Sequence, residues 1–316
     1  MSRHDKKLDQ AARAAWLYYV AGKTQNEIAD IIGVSRQAAQ RLVALASEQQ
    51  IVTVSISHPI ADCMDLAFRL QKRFGLAECH VVPSGGLDED SVSRMIAVSS
   101  AEVMAQYLRQ EEPQIVAVGS GRMLRSSIDA LPELDRPQHV CVSLIGAIAS
   151  DGSCTRYDVP LRMAEKTQGK YFILPAPMFA DSKEDGELWR SHRLYRAVID
   201  KSEQADVAFI GIGQVNENCP LCEDGFISAE QLAMLQQANV VAEVLGHFLA
   251  DDGSRVDCEL NPRLTSGLLQ PQTHKNIIAF SGGKEKHRAI RAVLNGSWIS
   301  GLVTDEDTAN YLLSAG

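Results

Sequence analysis

The sequence lacks any apolar stretch long enough to cross a membrane. No run of about 18 apolar residues occurs in the chain of 316 residues, whereas a transmembrane helix needs roughly 20. Residues 1–16 are charged and then amphipathic, so they also lack the apolar core of a secretory signal peptide. We therefore expect a cytoplasmic protein that has no membrane partner.

A disulfide framework is not indicated either. The seven cysteines are an odd number scattered through apolar segments, which favours reduced thiols. Cys219 and Cys222 form a CxxC pair, which could hold zinc or cycle as a dithiol. No second CxxC or HxxxH accompanies the pair, and nothing in the sequence brings Cys258, His247 or His274 to it. We predict no metal site and no cofactor, and a thiol- or metal-responsive regulator remains an alternative.

Positive charge is scarce. The chain has 31 lysines and arginines against 40 aspartates and glutamates, which gives a net charge of −9. A protein this acidic does not bind nucleic acid through its overall field, so DNA binding would require a local surface. Residues 1–57 contain 7 basic and 5 acidic residues, and this part alone is weakly basic.

Three helices are predicted in this N-terminal part. Leu8–Ala21 is rich in alanine and long apolar side chains and is followed by a glycine. A second helix over Thr24–Ile32 begins with a capping box and has one apolar face. A Gly33-Val34-Ser35 turn then leads into a third helix over Arg36–Ser47, because glycine tolerates the left-handed conformation and serine caps the helix.

Two short helices joined by a three-residue glycine turn form a helix-turn-helix unit. The second helix of such a unit lies in the major groove of DNA, with its N-terminal residues at the base edges. Arginine pairs with guanine and glutamine with adenine, and serine suits a phosphate. The alternative is a three-helix bundle with a solvated polar face. The predicted DNA-binding residues are Thr24, Gln25, Ser35, Arg36, Gln37, Gln40 and Arg41.

A short alternating segment follows the third helix. Apolar and polar side chains alternate over Ile51–Ser57, which predicts the strand of a small wing. His58-Pro59 then breaks the pattern. We place the domain boundary there, and we expect a winged-helix-like DNA-binding domain at residues 1–57 and a larger domain at residues 58–316.

Helical and strand patterns alternate through the larger domain. They include one continuous helix over Leu188–Ser202. Short apolar strands that alternate with helices imply a Rossmann-like α/β fold with a mainly parallel sheet covered on both faces. Ligands in such folds bind at the carboxyl ends of the strands. The predicted strands are Glu78–Val82, Gln114–Gly119, His139–Ile145, Tyr171–Leu174, Val207–Ile212 and Ile277–Ser281.

Three glycine-rich turns follow strands in this pattern. Exposed amides at a helix start, with an arginine in one turn and lysines in another, favour an anion such as phosphate. None of the turns matches the full dinucleotide or P-loop fingerprint, and each glycine could also serve a steric purpose alone. The predicted ligand-binding residues are Gly119, Ser120, Gly121 and Arg122 in the first turn, Gly211, Gly213 and Gln214 in the second, and Gly282, Gly283, Lys284 and Lys286 in the third.

Several longer segments occur with these turns in a fixed order. They are GSGRML (119–124), LPAP (174–177), GIG (211–213), AEVLGHFLADDG (242–253), LNPR (260–263), GGKEKHRAI (282–290) and LVTDEDTANYLL (302–313). With the helix-turn-helix unit they cover the whole chain, which resembles the SorC family of sugar-responsive bacterial regulators. The resemblance implies an effector domain similar to sugar-phosphate isomerases and deaminases, a homo-tetramer on operator DNA, and induction by a sugar phosphate or related polyol.

The resemblance also implies positions for the effector. It would place Gly119, Gly121, Arg122, Gly283 and Lys286 near the bound molecule. Many relatives have threonine where this chain has Met123, which removes a possible phosphate donor, and aspartate where it has Glu243. A sugar, a polyol and a sugar phosphate are all compatible with these residues.

An enzyme is the other alternative, because the larger domain resembles sugar-phosphate isomerases and aldose deaminases. Such enzymes need a general acid and base over the sugar carbons, and the deaminases carry a Gly-His-Ile-Ala-Phe-Asn stretch after their second glycine turn. The corresponding residues 214–220 contain no histidine. Glu217 and Asp224 could serve as carboxylates, although a solvated loop explains both. We therefore predict a non-enzymatic DNA-binding regulator of a carbohydrate or polyol operon.

Overall fold

The chain divides into two compact units, Met1–His58 and Pro59–Gly316. The computed structural model describes residues 3–49, 51–52, 59–149, 152–153, 157–216, 218–267, 271 and 276–314. Within these ranges, no helix combines the length and the apolar character that a membrane span requires.

The first unit consists of three helices, α1 (Arg3–Tyr19), α2 (Gln25–Ile32) and α3 (Arg36–Glu48). The predicted capping box is present at the start of α2. The Thr24 hydroxyl accepts from the Glu27 amide at 3.4 Å, and the Glu27 carboxylate accepts from the Thr24 amide at 2.9 Å. Two amides that a helix start leaves without partners are therefore satisfied by one pair of side chains.

The turn between α2 and α3 has the predicted geometry. Gly33 ends α2 with a left-handed φ of 75°, and the Ser35 side chain caps α3 by accepting from the Ala38 amide at 3.2 Å. Ile51 and Val52 are not in a strand, and residues 53–57 of the predicted wing lie outside the described residues. Alanines and aliphatic side chains form the core of this unit: Ala11, Ala14, Ala15, Ile28, Ala29, Ala39, Leu42, Val43 and Ala46.

The second unit contains ten strands and ten helices among its described residues. The strands are β1 (Glu78–Val82), β2 (Ile115–Val118), β3 (Val140–Ile148), β4 (Lys170–Pro177), β5 (Val207–Gly211), β6 (Gly213–Gln214), β7 (Ala242–Val244), β8 (His247–Leu249), β9 (Asn276–Phe280) and β10 (Gly301–Asp305). The helices are α4 (Pro59–Phe74), α5 (Glu89–Leu108), α6 (Arg122–Ala130), α7 (Val159–Thr167), α8 (Lys183–Ser191), α9 (Arg193–Glu203), α10 (Pro220–Glu223), α11 (Ala229–Gln237), α12 (His287–Asn295) and α13 (Glu306–Ser314).

Seven of these strands form one parallel sheet in the order β1-β10-β9-β5-β2-β3-β4. The short strands β6, β7 and β8 form a separate antiparallel sheet. The predicted α/β class with a mainly parallel sheet is therefore confirmed.

Alternate residues on the central strands point to opposite faces of the sheet, as strand geometry requires. On β5, Phe209 belongs to the core beneath α5, α6 and α7, whereas Ile210 belongs to the core beneath α4, α12 and α13. Phe209 stacks on Phe280 of β9, with ring centroids 5.4 Å apart. Helices thus cover both faces, and the carboxyl ends of the strands are left for a ligand.

The prediction of a single helix over Leu188–Ser202 is wrong. Two helices, α8 and α9, meet at His192, whose backbone is extended with φ −68° and ψ 135°. The His192 Nδ1 atom accepts from the Leu194 amide at 3.2 Å and so caps α9. Hydrophobic periodicity does not reveal this break, because histidine is not among the usual capping residues.

A tight turn after the β7–β8 hairpin packs closely against the C-terminal end of α12. Gly253 has a left-handed φ of 81°, and a Cβ atom on it would overlap the backbone of Ala292 and Gly296. The Trp298 Nε1 atom donates to the Gly253 carbonyl at 2.8 Å. Only glycine combines this backbone conformation with so close an approach.

We expect Gly253→Ala to destabilise the protein more than Gly75→Ala does. Both glycines have a left-handed φ, 81° and 67°, so alanine at either position costs about 1–2 kcal/mol. A Cβ on Gly75 would have nothing within 4 Å, whereas overpacking at Gly253 adds about 1–3 kcal/mol. Thermal unfolding of the two full-length variants measures the difference, and equal melting temperatures would contradict the packing of this turn.

Candidate functional site

The three predicted glycine-rich turns lie side by side. They follow β2, β5 and β9, which are neighbours in the sheet, so residues 119–121, 211–213 and 281–283 meet at one edge. The turns open onto two cavities that have Arg122, Met123 and Lys286 in common. Parallel pairing therefore brings together residues that are far apart in the sequence.

The first cavity, which we call the central cleft, has a volume of about 110 Å³. One wall is apolar and includes Ile145, Met178, Leu245 and Phe280. Gly119 lies outside both cavities: a Cβ on it would be 3.1 Å from a methyl group of Leu245, so this glycine allows close packing instead. The predicted ligand-binding residues that line the central cleft are Ser120, Gly121, Arg122, Gly211, Gly213 and Lys286.

Lys286 supplies an ammonium group to the central cleft. Its side chain is partly buried, and Nζ donates to the Ile212 carbonyl at 2.8 Å. The pKa of Lys286 is lowered to about 8, chiefly because burial removes water from the ammonium group and also because the Arg122 guanidinium is near. The Glu243 carboxylate opposes this shift. An anion bound between the two cations would relieve their repulsion.

Glu243 supplies a carboxylate to the same cleft from strand β7. Its Oε1 atom accepts from the Gly246 amide at 2.5 Å, and burial raises the pKa of the carboxyl group. A Cβ on Gly213 would lie 2.6 Å from Glu243 Oε2, so the glycine makes room for the carboxylate. Glu243 is not among the predicted ligand-binding residues, although it lies in the segment AEVLG that contributes to the family resemblance. Its oxygens can accept hydrogen bonds from ligand hydroxyls.

The second cavity, which we call the side cavity, has a volume of about 360 Å³. Gln214 is only 6% exposed, and its Oε1 atom has no hydrogen-bond partner among the described residues. A buried acceptor of this kind normally has a partner, which marks the position as one where a ligand or water can donate. The predicted ligand-binding residues on the side cavity are Arg122, Gln214, Gly282, Gly283, Lys284 and Lys286.

The amide of Gly283 is already used within the fold. It donates to Asp305 Oδ2 at 2.8 Å and to Thr308 Oγ1 at 3.2 Å. Asp305 is 1% exposed, and the same carboxylate accepts from the Thr308 amide at 2.8 Å at the start of α13. This third turn therefore offers the side chains of its lysines to a ligand, and its Gly283 amide serves the fold.

One face of α3 is polar and exposed. Its side chains lie opposite the buried face that includes Ala39, Leu42 and Val43. Arg36 and Arg41 form no salt bridge with any residue that the structure describes. Thr24 is exposed but its hydroxyl is engaged with Glu27 in the capping box, and Gln25 is partly exposed at the start of α2. The other predicted DNA-binding residues are all exposed on or beside α3: Ser35, Arg36, Gln37, Gln40 and Arg41.

The two cysteines of the CxxC pair lie at the start of a short helix, one buried and one partly exposed. Cys219 is buried at the start of α10, and burial raises the pKa of its thiol. Cys222 is partly exposed and its amide donates to the Cys219 carbonyl at 3.0 Å. Within the described ranges, no three His, Cys, Asp or Glu side chains are grouped as a metal site. Two candidates named from the sequence, His274 and Glu217, lie outside the described residues.

Comparisons with known proteins agree on one kind of protein. The family model described as "Putative sugar-binding domain" matches residues 58–314. The chain is 32% identical over 303 residues to the erythritol catabolism regulatory protein EryD of Brucella abortus (strain 2308), with 96% of each chain covered. It is 31% identical over 316 residues to the transcriptional regulator LsrR of Enterobacter sp. (strain 638), with 96% of this chain and 92% of that one covered.

Solved structures that match the chain include a regulator of the same kind. The full-length sorbitol operon regulator SorC from Klebsiella pneumoniae matches with a TM-score of 0.72 and 25% identity. The match covers 96% of this chain and 97% of that chain. It therefore extends over both compact units of the chain.

The lowered pKa of Lys286 predicts a pH dependence of stability. Between about pH 8 and the unfolded-state value of about 10.4, the unfolded chain holds a proton that the folded chain has released. The free energy of unfolding of the wild type should therefore rise with pH in this range relative to Lys286→Met. Urea unfolding of both proteins at pH 7 to 10 measures this difference, and parallel curves would refute the pKa assignment.

Proposed function

The chain belongs to the SorC family of sugar-binding transcriptional regulators, and we propose that it regulates a carbohydrate or polyol operon in response to a small polyol or sugar phosphate. The observation that carries the proposal is the convergence of Arg122, Lys286 and Glu243 on the central cleft. Such an effector requires two kinds of contact. Cations bind its anionic group, and a carboxylate accepts hydrogen bonds from its hydroxyl groups.

The DNA-binding domain that we propose is residues 1–57, and its reading surface is the exposed face of α3. Arg36 and Gln37 stand in the first turn of α3, the part of a recognition helix that reaches the base edges. Gln40 and Arg41 follow one turn later and suit a base edge or the phosphate backbone. The capped start of α3 at Ser35 also suits a phosphate, because helix N-termini attract anions.

The effector domain that we propose is residues 58–316. A phosphate would lie between Arg122 and Lys286, and hydroxyl groups would donate to Glu243 in the central cleft. The central cleft is small, at about 110 Å³, which favours a short carbon chain. The relative EryD is named for erythritol catabolism, so we propose a polyol of about that size or its phosphate as the first candidates.

Regulation follows from linkage between effector and operator. If the effector favours an arrangement in which paired DNA-binding domains no longer match the operator spacing, DNA is released. Taking one two-state equilibrium from mostly bound to mostly free requires about 5.5 kcal/mol of differential binding. Operator spacing requires more than one copy of the chain, and we propose a homo-tetramer held together by the effector domains.

We propose that the cleft binds its ligand without catalysis and that the protein acts in the cytoplasm. Both relatives described above are named as regulators. Lys286 Nζ is held by the Ile212 carbonyl and Glu243 by the Gly246 amide, so the charged groups are fixed for recognition. Loss of a sugar phosphate or polyol over hours with the purified protein would contradict this part of the proposal.

Operator binding should depend on the first turn of α3. We expect Arg36→Ala combined with Gln37→Ala to weaken operator binding by about thirtyfold or more, because each two-pronged base contact contributes about 1–3 kcal/mol. Fluorescence anisotropy with a DNA site selected from a random pool measures the affinity. The matched control is Arg13→Ala with Gln10→Ala, which removes the same residue types from the exposed surface of α1. Equal losses in both variants would contradict the assignment of α3.

Effector response should depend on Lys286 and not on the thiols. In Lys286→Met we expect operator binding of wild-type strength that an effector no longer releases, because the cleft has lost a cation. The effector is found by thermal melting against a panel of polyols, sugars and their phosphates, since saturation at 100 times Kd adds about 2.7 kcal/mol. Cys219→Ser with Cys222→Ser should keep the full response. A response lost in the serine variant would instead favour a thiol-dependent regulator.

A further inference from the structure

A third cavity lies apart from the two that the glycine turns form. It has a volume of about 430 Å³, and it shares no lining residue with the central cleft or the side cavity. Its walls come from α8, α9, strand β8 and the loop before β9. We call it the arginine cavity, after three of the residues that line it: Arg190, Arg196 and Arg255.

The first two arginines are held by backbone carbonyls. Arg190 donates to the carbonyls of Leu264 at 2.9 Å and Pro262 at 3.2 Å, and Arg196 Nε donates to the Arg190 carbonyl at 3.2 Å. Among the described residues, neither guanidinium forms a salt bridge with a carboxylate. Neutral carbonyls fix a guanidinium in place but leave its full charge, so the cavity carries oriented cations in a chain whose net charge is −9. Such preorganised cations are the usual basis of anion binding.

Two buried polar side chains on the same cavity each have an atom without a hydrogen-bond partner among the described residues. His247 is 5% exposed and Ser266 is 7% exposed, and within the described part of the chain His247 Nε2 and Ser266 Oγ have no hydrogen-bond partner. Burial, together with the nearby Arg255, lowers the pKa of His247 to about 4. The imidazole is therefore neutral at physiological pH and can donate one hydrogen bond. Native interiors leave few such atoms unsatisfied, so both can form a hydrogen bond with a molecule in the cavity.

We propose that the arginine cavity binds the phosphate group of a second small metabolite. Arginines from two helices and from the segment after β8 line this one cavity. Three guanidinium groups match the three terminal oxygens of a phosphate better than the two of a carboxylate. Asp200 is the one carboxylate among the described lining residues, and it can accept from a hydroxyl of the same ligand. Tyr195, Ile199 and Leu264 provide surface for its carbon skeleton.

The cavity is joined to the central cleft through the β7–β8 hairpin. His247 pairs with Val244 in that hairpin, next to Glu243 of the cleft. Leu264 fills the space against Gly246, where a Cβ atom would overlap its side chain. A molecule that contacts His247 or Leu264 therefore also affects the β7–β8 hairpin, which carries Glu243. By reciprocity, each ligand would change the affinity of the other by the same factor.

The test measures binding of radiolabelled inorganic phosphate to the full-length protein by equilibrium dialysis. It is made in the Lys286→Met background, so that the proposed effector site does not contribute. Arg196→Gln is the test variant, because Arg196 is exposed and donates one hydrogen bond to a backbone carbonyl. Arg190 donates to two backbone carbonyls, so its replacement would disturb the fold more. Arg193→Gln is the matched control: it removes the same charge from the same helix, and Arg193 does not line the cavity.

We expect one phosphate to bind per Lys286→Met chain, and the added Arg196→Gln to weaken it about tenfold or more, since a charged hydrogen bond contributes at least about 1.5 kcal/mol. The added Arg193→Gln should leave the affinity within twofold. No phosphate binding in the Lys286→Met chain, or equal weakening by the two glutamines, would overturn the proposal. These outcomes do not depend on operator release, which tests the proposed function separately.

Discussion

Parallel pairing of β9, β5 and β2 is the constraint on which the candidate site depends. Because the three strands are neighbours and run in the same direction, the turns after them meet at one edge. Each turn then contributes a different property. The first brings the guanidinium of Arg122, the second brings space for a carboxylate at Gly213, and the third brings the ammonium group of Lys286. A slip in one strand pair would move one of these groups away from the others.

The charges of the central cleft are balanced closely. Lys286 and Arg122 repel each other, and Glu243 offsets part of that repulsion. Burial penalises the charged forms of Lys286 and Glu243, which lowers the pKa of the lysine and raises that of the glutamate. A dianion adds attraction to both cations, whereas an uncharged polyol adds only hydrogen bonds. Under the proposed function, the cleft would offer two kinds of contact to a phosphorylated effector and one kind to an uncharged polyol.

The features that sequence reasoning predicted are local. The capping box at Thr24 and Glu27, the turn at Gly33 and the cap at Ser35 each depend on residues within four positions of one another. The alternation of strands and helices likewise reflects local hydrophobic patterns, and the fold class follows from it. Local patterns also placed the three glycine turns at the ends of strands.

The features that sequence reasoning missed depend on contacts between distant residues. The buried Asp305 occupies the amide of Gly283, and a carboxylate 22 positions away is not visible in a glycine motif. Gly213 needs to be glycine because Glu243, its pairing partner on strand β7, packs on it. The break at His192 is the exception, because it depends on a local contact in which a histidine acts as a helix cap. The arginine cavity brings together residues between positions 190 and 266, and no motif links them.

The position of β1 in the sheet has a consequence for synthesis of the chain. Among the described strands, β1 lies at the edge of the sheet and pairs with β10. The Arg73 side chain at the end of α4 donates to the carbonyl of Leu313 at 2.9 Å. The first elements of the larger unit are thus anchored by β10 and α13, which follow much later in the sequence. During synthesis, the three N-terminal helices fold first, while α4 and β1 still lack their partners. The larger unit therefore completes its sheet only after β10 has been synthesised.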